Sequence, residues 1–318
     1  MQVVVISNLY PNSQEPTRGI FTEQLVQRLC THVEVRVIAP IPWRMRTNHQ
    51  GMLKPLMTQV PRFEQVNGVD VWHPRYMVIP KIARASYGFA FYLGIYVRLK
   101  KMHQEKPIDL INVHWVYPDG IGAVLAARAL NIPVVMHALG CDINEFGHYP
   151  LRRQQIRWAL NNADFNVFVS KELLEQARGI GLKHERNRVI LNGVDQTRFQ
   201  PGDRPSVRAQ LGLPVDRQLV LFAGNFNVEK GLRYLIDAWH IVAKQNPNAR
   251  LVVVGSGPEQ QLIDQKIASL GLGESILMLG RQTHDKMPFF LQATDILCLP
   301  SLREGCPNVV LEALSSSA

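Results

Sequence analysis

The sequence predicts an α/β protein with two domains, each built around a parallel β-sheet. Short runs of β-branched residues alternate along the chain with longer amphipathic segments. The short runs are apolar throughout, which is typical of strands covered by helices on both faces of a parallel sheet. This series occurs twice within 318 residues, and a stretch rich in Pro, Gly, Asp and Arg at 200–217 separates the two parts. We therefore expect domains at 1–200 and 201–318.

The first domain opens on a run of Val and Ile that predicts a buried strand, and similar runs recur after each amphipathic segment. The expected strands are Val3–Ser7, Val33–Ile38, Val69–His73, Leu110–Val113, Val134–His137 and Phe165–Val169. Segments between them have apolar residues at helical spacing. The expected helices are Ile20–Leu29, the Ala-rich Gly120–Leu130, and Leu151–Asn161.

The second domain repeats this pattern with fewer strands. The expected strands are Leu219–Ala223, Leu251–Val254, Ile276–Leu279 and Ile296–Leu299. The expected helices are Gly231–Lys244, Glu259–Leu270, His284–Ala293 and Asn308–Leu314. A doubly wound nucleotide-binding fold typically has about six parallel strands. We therefore expect this domain to be incomplete and the chain to be truncated at its C-terminus.

The net positive charge of the protein is confined to residues 1–200. Residues 1–200 contain 24 Lys and Arg against 15 Asp and Glu, whereas residues 201–318 contain 11 of each kind. A one-sided basic surface indicates an anionic partner, namely a phosphorylated substrate, a lipid surface or nucleic acid. A basic enzyme without such a partner is the alternative. Nucleic acid is the least expected partner, because the basic residues form no motif with interleaved aromatic residues.

The cysteines and the N-terminus indicate a cytoplasmic protein. Cys30, Cys141, Cys298 and Cys306 are scattered and form no CxxC pair, so neither a disulfide scaffold nor a zinc ribbon is expected. The sequence runs directly into a strand without a basic segment and a long apolar run, which argues against a secretory signal. A run of about 18 uncharged apolar residues does not occur, so we expect no membrane-spanning helix.

One aromatic segment, Tyr87–Val97, has two interpretations. It is followed by Arg98, Lys100 and Lys101. Such a segment can be an interfacial helix that lies on an anionic membrane. It can also be a buried helix whose basic last turn complements the helix dipole, and we favour this second interpretation. A peripheral position on the inner face of the membrane stays an alternative.

The strongest chemical signal is the segment 300–313, PSLREGCPNVVLEA, which follows an expected strand and opens an expected helix. Gly305 permits close backbone approach, and Pro307 suits a first helical turn. The free N–H groups at the start of that helix would hold a phosphate. Glu304 precedes the helix and Glu312 lies about two turns inside it, so both carboxylates can reach one ligand, and sugar hydroxyls are natural partners. A simple capping arrangement is the alternative.

This segment resembles the signature of retaining glycosyltransferases of family 4, the glycosyltransferase group 1 type. The resemblance implies the GT-B architecture of two facing, doubly wound Rossmann-like domains, with the acceptor bound mainly by the first and a nucleoside-diphosphate sugar by the second. It implies that Glu304 contacts the donor sugar and that Glu312 contacts the ribose. The residues whose backbone would border the sugar and diphosphate are Gly305, Cys306, Pro307 and Asn308.

Two further turns of the second domain agree with this resemblance. The segment 223–231, AGNFNVEKG, carries Lys230, which can neutralise a diphosphate leaving group. The family usually has an Arg at the position of Asn225, so one cation of the usual pair is absent or supplied elsewhere. The resemblance places Gly255, in a GSGPE turn, close to the nucleotide and Arg281 near the base. GSGPE lacks the GxGxxG spacing, which argues against a nicotinamide or flavin enzyme.

In the first domain the resemblance assigns residues to the acceptor side and to catalysis. Gly19 corresponds to a glycine loop that faces the diphosphate and the acceptor. His137 ends a strand and opens a His-x-x-Gly-x-Asp stretch that closes on Asp142, and in the family this His contacts the transferred sugar. His114 ends the preceding strand and either lines the acceptor cleft or is a packed core histidine.

We therefore expect a hexosyltransferase-type enzyme that moves a sugar, with retention, from a nucleoside-diphosphate sugar to a saccharide or lipid-linked acceptor in cell-surface polysaccharide or glycolipid synthesis. The sequence has no HExxH, clustered His/Cys or DxD motif, so no metal and no cofactor are expected. Two alternatives remain open. The first is a truncated, non-catalytic nucleotide-sugar-binding protein, suggested by Asn225 and the short second domain. The second is a GT-B nucleotide-sugar epimerase, which the EGCPN sequence disfavours.

Overall fold

A computed structural model gives the fold of this chain. It describes residues 1–47, 53–55, 59–78, 84–183 and 185–318. The chain forms two compact units, Met1–Leu191 and Asn192–Ala318. The division falls before the Pro- and Gly-rich stretch at residue 200, so that stretch belongs to the second unit. Each unit is built on its own parallel sheet.

The first unit contains a central eight-stranded sheet and a smaller three-stranded sheet. Its described strands are β1 (Gln2–Ile6), β2 (Glu34–Ile38), β3 (Ile41–Thr47), β4 (Leu53–Pro55), β5 (Phe63–Val66), β6 (Val69–Trp72), β7 (Arg75–Val78), β8 (Leu110–His114), β9 (Val134–Ala138), β10 (Phe165–Phe168) and β11 (Asn187–Val189). The central sheet has the order β11-β10-β9-β8-β1-β2-β6-β5, and the smaller one β4-β3-β7. The six strands expected from the sequence are confirmed as neighbours within the central sheet, and β1 is buried along its whole length.

One edge of the central sheet departs from parallel pairing. There, β5 and β6 form an antiparallel hairpin, and Val66 pairs with Val69 across the turn. Asn67 and Gly68 make this turn with φ values of +49° and +80°. Asn-Gly is typical of two-residue hairpin turns, because both residues tolerate a positive φ. The sequence analysis did not include β5, since Glu64 and Gln65 interrupt its apolar pattern.

Helices cover the central sheet of the first unit. They are α1 (Ile20–Cys30), α2 (Tyr87–Glu105), α3 (Ile121–Leu130), α4 (Cys141–Asn144), α5 (Pro150–Asn162) and α6 (Lys171–Gly179). Among them α2 extends well beyond the aromatic segment noted in the sequence. It packs closely on α3, where Gly122 leaves room for Phe91. A Cβ atom at Gly122 would lie only 2.7 Å from the Phe91 ring. Among the described residues, no helix combines the length and apolar character that crossing a bilayer requires.

The second unit has a four-stranded parallel sheet with the order β14-β13-β12-β15. Its strands are β12 (Gln218–Ala223), β13 (Ala249–Val254), β14 (Ile276–Gly280) and β15 (Ile296–Leu297). Its helices are α7 (Arg204–Leu211), α8 (Leu232–Gln245), α9 (Gln260–Ser269), α10 (Met287–Ala293) and α11 (Asn308–Ser316). All four expected strands are confirmed. Separate apolar clusters cover the two faces, with α8 and α9 on one and α7, α10 and α11 on the other.

Helix α7 occupies the polar stretch that the sequence analysis treated as a linker. Asp203 caps its first turn, because its carboxylate accepts a hydrogen bond from the Ser206 N–H at 3.2 Å. Pro205 lies in that first turn, and Gly212 ends the helix in a left-handed conformation. These are the start and stop signals of a helix. They make the segment look like a loop when only its composition is considered.

Candidate functional site

The first candidate site lies in the second unit, at the carboxyl ends of its parallel strands. The loops that leave this edge of the sheet include those after β12, after β13 and between β15 and α11. The carboxyl ends of parallel strands meet at one edge, where α/β proteins commonly bind their ligands. These loops carry Lys230, Gly255 and Glu304, in that order. The fold thus collects three of the sequence-predicted residues at one edge.

Lys230 and Glu304 form an ion pair, with 2.5 Å between Nζ and Oε1. The turn that carries Lys230 is held by Asn227, whose Oδ1 accepts a hydrogen bond from the Lys230 N–H at 3.1 Å. The loop that carries Glu304 is tied to the same turn, since the Leu302 N–H donates to the Glu229 carbonyl at 2.7 Å. Both charged side chains remain partly exposed, at 24% and 25%. A cation and a carboxylate therefore lie together where a ligand can reach them.

Two glycines allow the loops at this edge to touch. Gly231 has a φ of +68°, and a Cβ atom there would lie 2.1 Å from the Pro300 carbonyl oxygen. Gly255 has a φ of +141°, and a Cβ atom there would lie 1.9 Å from the Gly224 carbonyl oxygen. Real side chains do not approach a backbone oxygen so closely, so only glycine fits either position. The loop after β12 therefore packs directly against both the loop after β13 and the loop between β15 and α11.

Glu312 lies inside α11 with its side chain buried. Its Oε1 is 3.4 Å from Nε2 of His284, which comes just before α10. At the start of the same helix, Asn308 accepts a hydrogen bond through Oδ1 from the Asn192 side chain at 2.7 Å. The sequence analysis assigned neither His284 nor Asn192 to the site. A His at a helix start and an Asn in an Asn-Gly turn carry no motif, so the sequence held no signal for these contacts.

The other predicted donor-side residues differ in their exposure. Asn225 is exposed in the loop after β12, and Arg281 is exposed directly after β14. Gly305, Cys306 and Pro307, within the EGCPN sequence, are half-buried ahead of α11. The side chains of Asn225 and Arg281 are thus accessible from solvent.

A second cluster of polar residues lies at the carboxyl edge of the central sheet in the first unit. His114 and His137 are opposite each other on β8 and β9. Their rings stack, with 4.4 Å between centroids and 12° between planes. Burial lowers the pKa of His137 to about 4, and burial together with the neighbouring His137 lowers the pKa of His114 well below its usual value. Both imidazoles are therefore neutral near pH 7 and act as hydrogen-bonding groups rather than as cations.

Asp142 lies in helix α4, and its side chain supports the loop between β9 and this helix. Its carboxylate is fully buried and accepts hydrogen bonds from the N–H groups of Val116 at 2.8 Å and Gly140 at 2.7 Å. Burial raises the pKa of Asp142, while these hydrogen bonds act in the opposite sense. The expected contact of Asp142 with an acceptor stays a prediction. In this structure the carboxylate holds the loop, so an effect on an acceptor would act through the loop.

Asp119 is a buried residue of this edge that the sequence analysis did not identify. Its carboxylate accepts hydrogen bonds from the Asn8 main-chain N–H at 2.6 Å and the Asn8 side-chain amide at 2.7 Å. The Asn8 carbonyl in turn accepts from the Arg18 Nε at 3.0 Å. The next residue, Gly19, has a φ of +61°, and a Cβ atom there would lie 2.1 Å from the Leu9 carbonyl oxygen. Asp119 thus positions the predicted glycine loop, and Pro-Asp-Gly in the sequence signals only a turn.

The two edges offer different chemistry. The second unit presents a lysine, two carboxylates and the N-terminus of α11, which together suit an anion joined to a polyhydroxylated group. The first unit presents neutral imidazoles, which suit hydrogen bonding to an uncharged ligand.

Family models match both units of the chain. The model described as Glycosyltransferase Family 4 matches residues 19–198, more than half of the chain, and the model described as Glycosyl transferases group 1 matches residues 203–317. A Bacillus subtilis (strain 168) glycosyltransferase named for teichuronic acid biosynthesis, TuaC, is 28% identical over 322 residues, which cover 99% of this chain and 79% of that protein.

Solved structures share the fold. Sucrose-phosphate synthase from Thermosynechococcus elongatus superposes with a TM-score of 0.76 at 20% identity, covering 99% of this chain and 79% of that one. HepE from Anabaena, solved with UDP and glucose, superposes with a TM-score of 0.70 at 19% identity, covering 99% and 78%. Both units of this chain therefore have the Rossmann-like fold of GT-B enzymes. The chain is therefore a glycosyltransferase and belongs to the group 1 glycosyltransferases of family 4.

Proposed function

We propose that this glycosyltransferase moves a hexosyl group from a nucleoside-diphosphate sugar to a hydroxyl of a saccharide or lipid-linked acceptor, with retention of configuration. The observation that carries the proposal is the meeting of Lys230, Glu304 and α11 at one edge of the second sheet. Lys230 and the free N–H groups of α11 suit the diphosphate, because both are positive where its charge lies. Glu304 and Glu312 suit the hydroxyls of the sugar and the ribose, because carboxylates accept hydrogen bonds from hydroxyl groups.

In the proposed reaction the bond between the anomeric carbon and the diphosphate oxygen breaks, and its electron pair goes to the diphosphate. Lys230 stabilises the charge that develops there. The acceptor oxygen forms the new bond on the face that the diphosphate leaves, and the acceptor proton goes to the departing diphosphate oxygen. The neutral His137 hydrogen-bonds the transferred sugar. No metal takes part, so EDTA is expected to leave the rate unchanged.

The biological setting is proposed from the relatives. TuaC is named for teichuronic acid biosynthesis, and HepE was solved with UDP and glucose. These names favour a uridine or similar nucleotide sugar as donor and a polysaccharide or glycolipid as product. An acceptor of that kind is found at a membrane, so we include an anionic membrane surface among the proposed partners.

The first test is calorimetric titration of the protein with UDP-, GDP- and ADP-sugars in the absence of metal. One of them is expected to bind with micromolar affinity. The Glu312→Gln variant is expected to bind the same sugar roughly 10- to 100-fold more weakly, since a hydrogen bond to a charged group contributes about 1.5–3 kcal/mol. Glu274→Gln, at an exposed position ahead of β14 in the same unit, is the matched control and is expected to bind normally. Equal affinity in all three proteins would contradict the donor site.

The second test separates transfer from binding. His137→Ala is expected to lower turnover more than donor affinity, and NMR of the product is expected to show the anomeric configuration of the donor. Donor binding without turnover on any acceptor would instead support the non-catalytic alternative. Release of epimerised sugar without an acceptor would support the epimerase.

A further inference from the structure

Helix α2 of the first unit has two apolar faces, of which only one is buried by the fold. The buried face consists of residues with no exposed surface. These are Phe91, Ile95, Leu99 and Met102. The opposite face carries Phe89, Leu93 and Val97, which are 56%, 57% and 73% exposed. The interpretation of this segment as a buried helix therefore holds for one face only.

The exposed residues form one row along the helix. Residues four apart lie on the same face of an α-helix, so Phe89, Leu93 and Val97 follow one another over about 12 Å at 1.5 Å per residue. We call these three residues the apolar row. Tyr92 and Tyr96 border the row and are half-buried. Their rings are 5.3 Å apart between centroids, and that of Tyr92 is 5.8 Å from Phe89.

The fold holds this face outward. A Cβ atom at Gly94 would lie 2.7 Å from the Tyr76 side chain on β7, and one at Gly88 would lie 2.7 Å from Ile121 on α3. The backbone of α2 thus lies so close to two different elements that the helix has no room to rotate about its axis. The apolar row thus cannot turn into the core of the unit, and its exposure is a fixed property of the surface.

Basic residues continue the same face. One turn beyond Val97 the row gives way to Lys100 and Lys101, both exposed. The segment 84–106, counted with both of its ends, has five Lys and Arg and one Glu. The net positive charge of the protein also lies within residues 1–200. An apolar row bordered by tyrosines and continued by lysines complements a bilayer with anionic headgroups, in which apolar groups enter the acyl boundary and amines meet the phosphates.

We propose that α2 docks the protein on an anionic lipid bilayer through the apolar row and its lysines. The proposal deepens the membrane partner of the proposed function by assigning the surface that makes the contact. The helix lies in the plane of the interface, with Phe89, Leu93 and Val97 inserted and the tyrosine hydroxyls at headgroup level. The long stems of Lys100 and Lys101 let their amines reach the headgroup phosphates.

The experiment is flotation of the protein with vesicles of phosphatidylcholine alone and with 30% phosphatidylglycerol added, at about 0.1 M salt. The protein is expected to float with the anionic vesicles and not with the neutral ones. Leu93→Ser/Val97→Ser is expected to reduce the bound fraction at least tenfold, and Lys100→Glu/Lys101→Glu to abolish the preference for anionic lipid. Tyr234→Ser/Ile241→Ser on α8, which are 49% and 58% exposed, is the matched control and is expected to bind normally.

Three outcomes would overturn the proposal. In the first, wild type and the α2 variants bind the anionic vesicles equally. In the second, light scattering shows a wild-type dimer that Leu93→Ser/Val97→Ser converts to a monomer, so that a second copy covers the row. Calorimetry with the donor sugar shows whether each variant is folded. Intact donor binding and transfer to a soluble acceptor without vesicle binding would refute the docking surface and leave the proposed function standing.

Discussion

At the scale of single residues, His137 shows how the fold sets the state of a candidate catalytic group. Its ring is stacked against His114, and burial lowers its pKa to about 4. A cation at this position would have to be desolvated next to a second imidazole. The neutral form is thus favoured by position alone, and a sugar hydroxyl would meet a ring that can accept or donate a hydrogen bond.

The shifted pKa of His137 predicts a pH-dependent contribution to stability. Between its ordinary value of 6.5 and its folded value of about 4, the unfolded chain binds a proton on this residue that the folded chain does not. Stability is therefore lost as the pH falls through this window. Urea unfolding of wild type and His137→Gln is expected to show the wild-type advantage shrinking by about 3 kcal/mol between pH 7 and pH 4, at 1.36 kcal/mol per pKa unit.

Comparison with the variant is needed because Asp119 acts in the opposite sense. Burial raises its folded pKa, so its contribution grows as the pH falls. Asp119 is present in both proteins and its contribution cancels in the difference. A wild-type advantage that stays constant over the window would contradict the assigned protonation of His137.

Two aspartates, one at each end of β1, allow a test of which end of the strand supports the reaction. Asp119 accepts from the Asn8 N–H beyond the carboxyl end, and Asp109 accepts from the Gln2 N–H at the amino end, both at 2.6 Å. Asp119→Asn is expected to cost about 1–3 kcal/mol of stability. The new side-chain amide would place its own N–H donors against the donor groups of Asn8 that the carboxylate now accepts from. The variant is also expected to lower the rate of sugar transfer, because Asp119 positions the glycine loop. Asp109→Asn is expected to leave transfer unchanged, and equal loss in both would argue for a purely structural role.

At the scale of elements, the loops at the edge of the second sheet depend on contacts that side chains would prevent. Gly231 and Gly212 make this testable, since both are left-handed, with φ values of +68° and +67°. Only Gly231 has a backbone oxygen, that of Pro300, where a Cβ atom would lie; Gly212 has open space.

Alanine at these two glycines is expected to separate conformational strain from steric contact. Gly212→Ala is expected to cost roughly 1–2 kcal/mol, the price of a left-handed L-residue. Gly231→Ala is expected to cost clearly more and to weaken donor binding at least tenfold, because Lys230 moves with its turn. Chemical unfolding and calorimetry measure both effects. Equal costs at the two positions would show that the loops can separate freely.

The elements also show what the sequence can predict. Strands such as β1 and β13 consist mostly of consecutive apolar residues, and these runs located them in the sequence. Helix α7 was not predicted, because its capping residues give it the composition of a loop. Glu304 and Lys230 were predicted from motifs, whereas His284 and Asp119 depend on contacts between distant segments. Such contacts leave no local pattern, and only the fold reveals them.

At the scale of the whole molecule, the chain has two compact units with separate apolar cores. Donor binding to one unit stabilises that unit by mass action, by about 2.7 kcal/mol at a ligand concentration of 100 times Kd. The tryptophans offer a way to observe this. Trp239 is buried in the second unit, and the remaining four tryptophans of the chain lie in the first.

Thermal unfolding followed by fluorine NMR of fluorotryptophan-labelled protein is expected to show the donor effect in one unit. The signal of Trp239, assigned with Trp239→Phe, is expected to lose its folded position at a higher temperature when donor is added. The other four signals are expected to shift less. Equal shifts of all five would show that the units unfold as one cooperative body.

In the proposed donor site, the ion pair between Lys230 and Glu304 would make donor binding an exchange of partners. A diphosphate would compete with Glu304 for the lysine, and the hydroxyls of a sugar would compete with the lysine for the carboxylate. A free phosphate or a free sugar replaces this contact on one side only, whereas a nucleotide sugar replaces it on both. The pair would therefore couple recognition of the two halves of the donor, and discrimination against abundant cellular anions would follow from a contact within the protein itself.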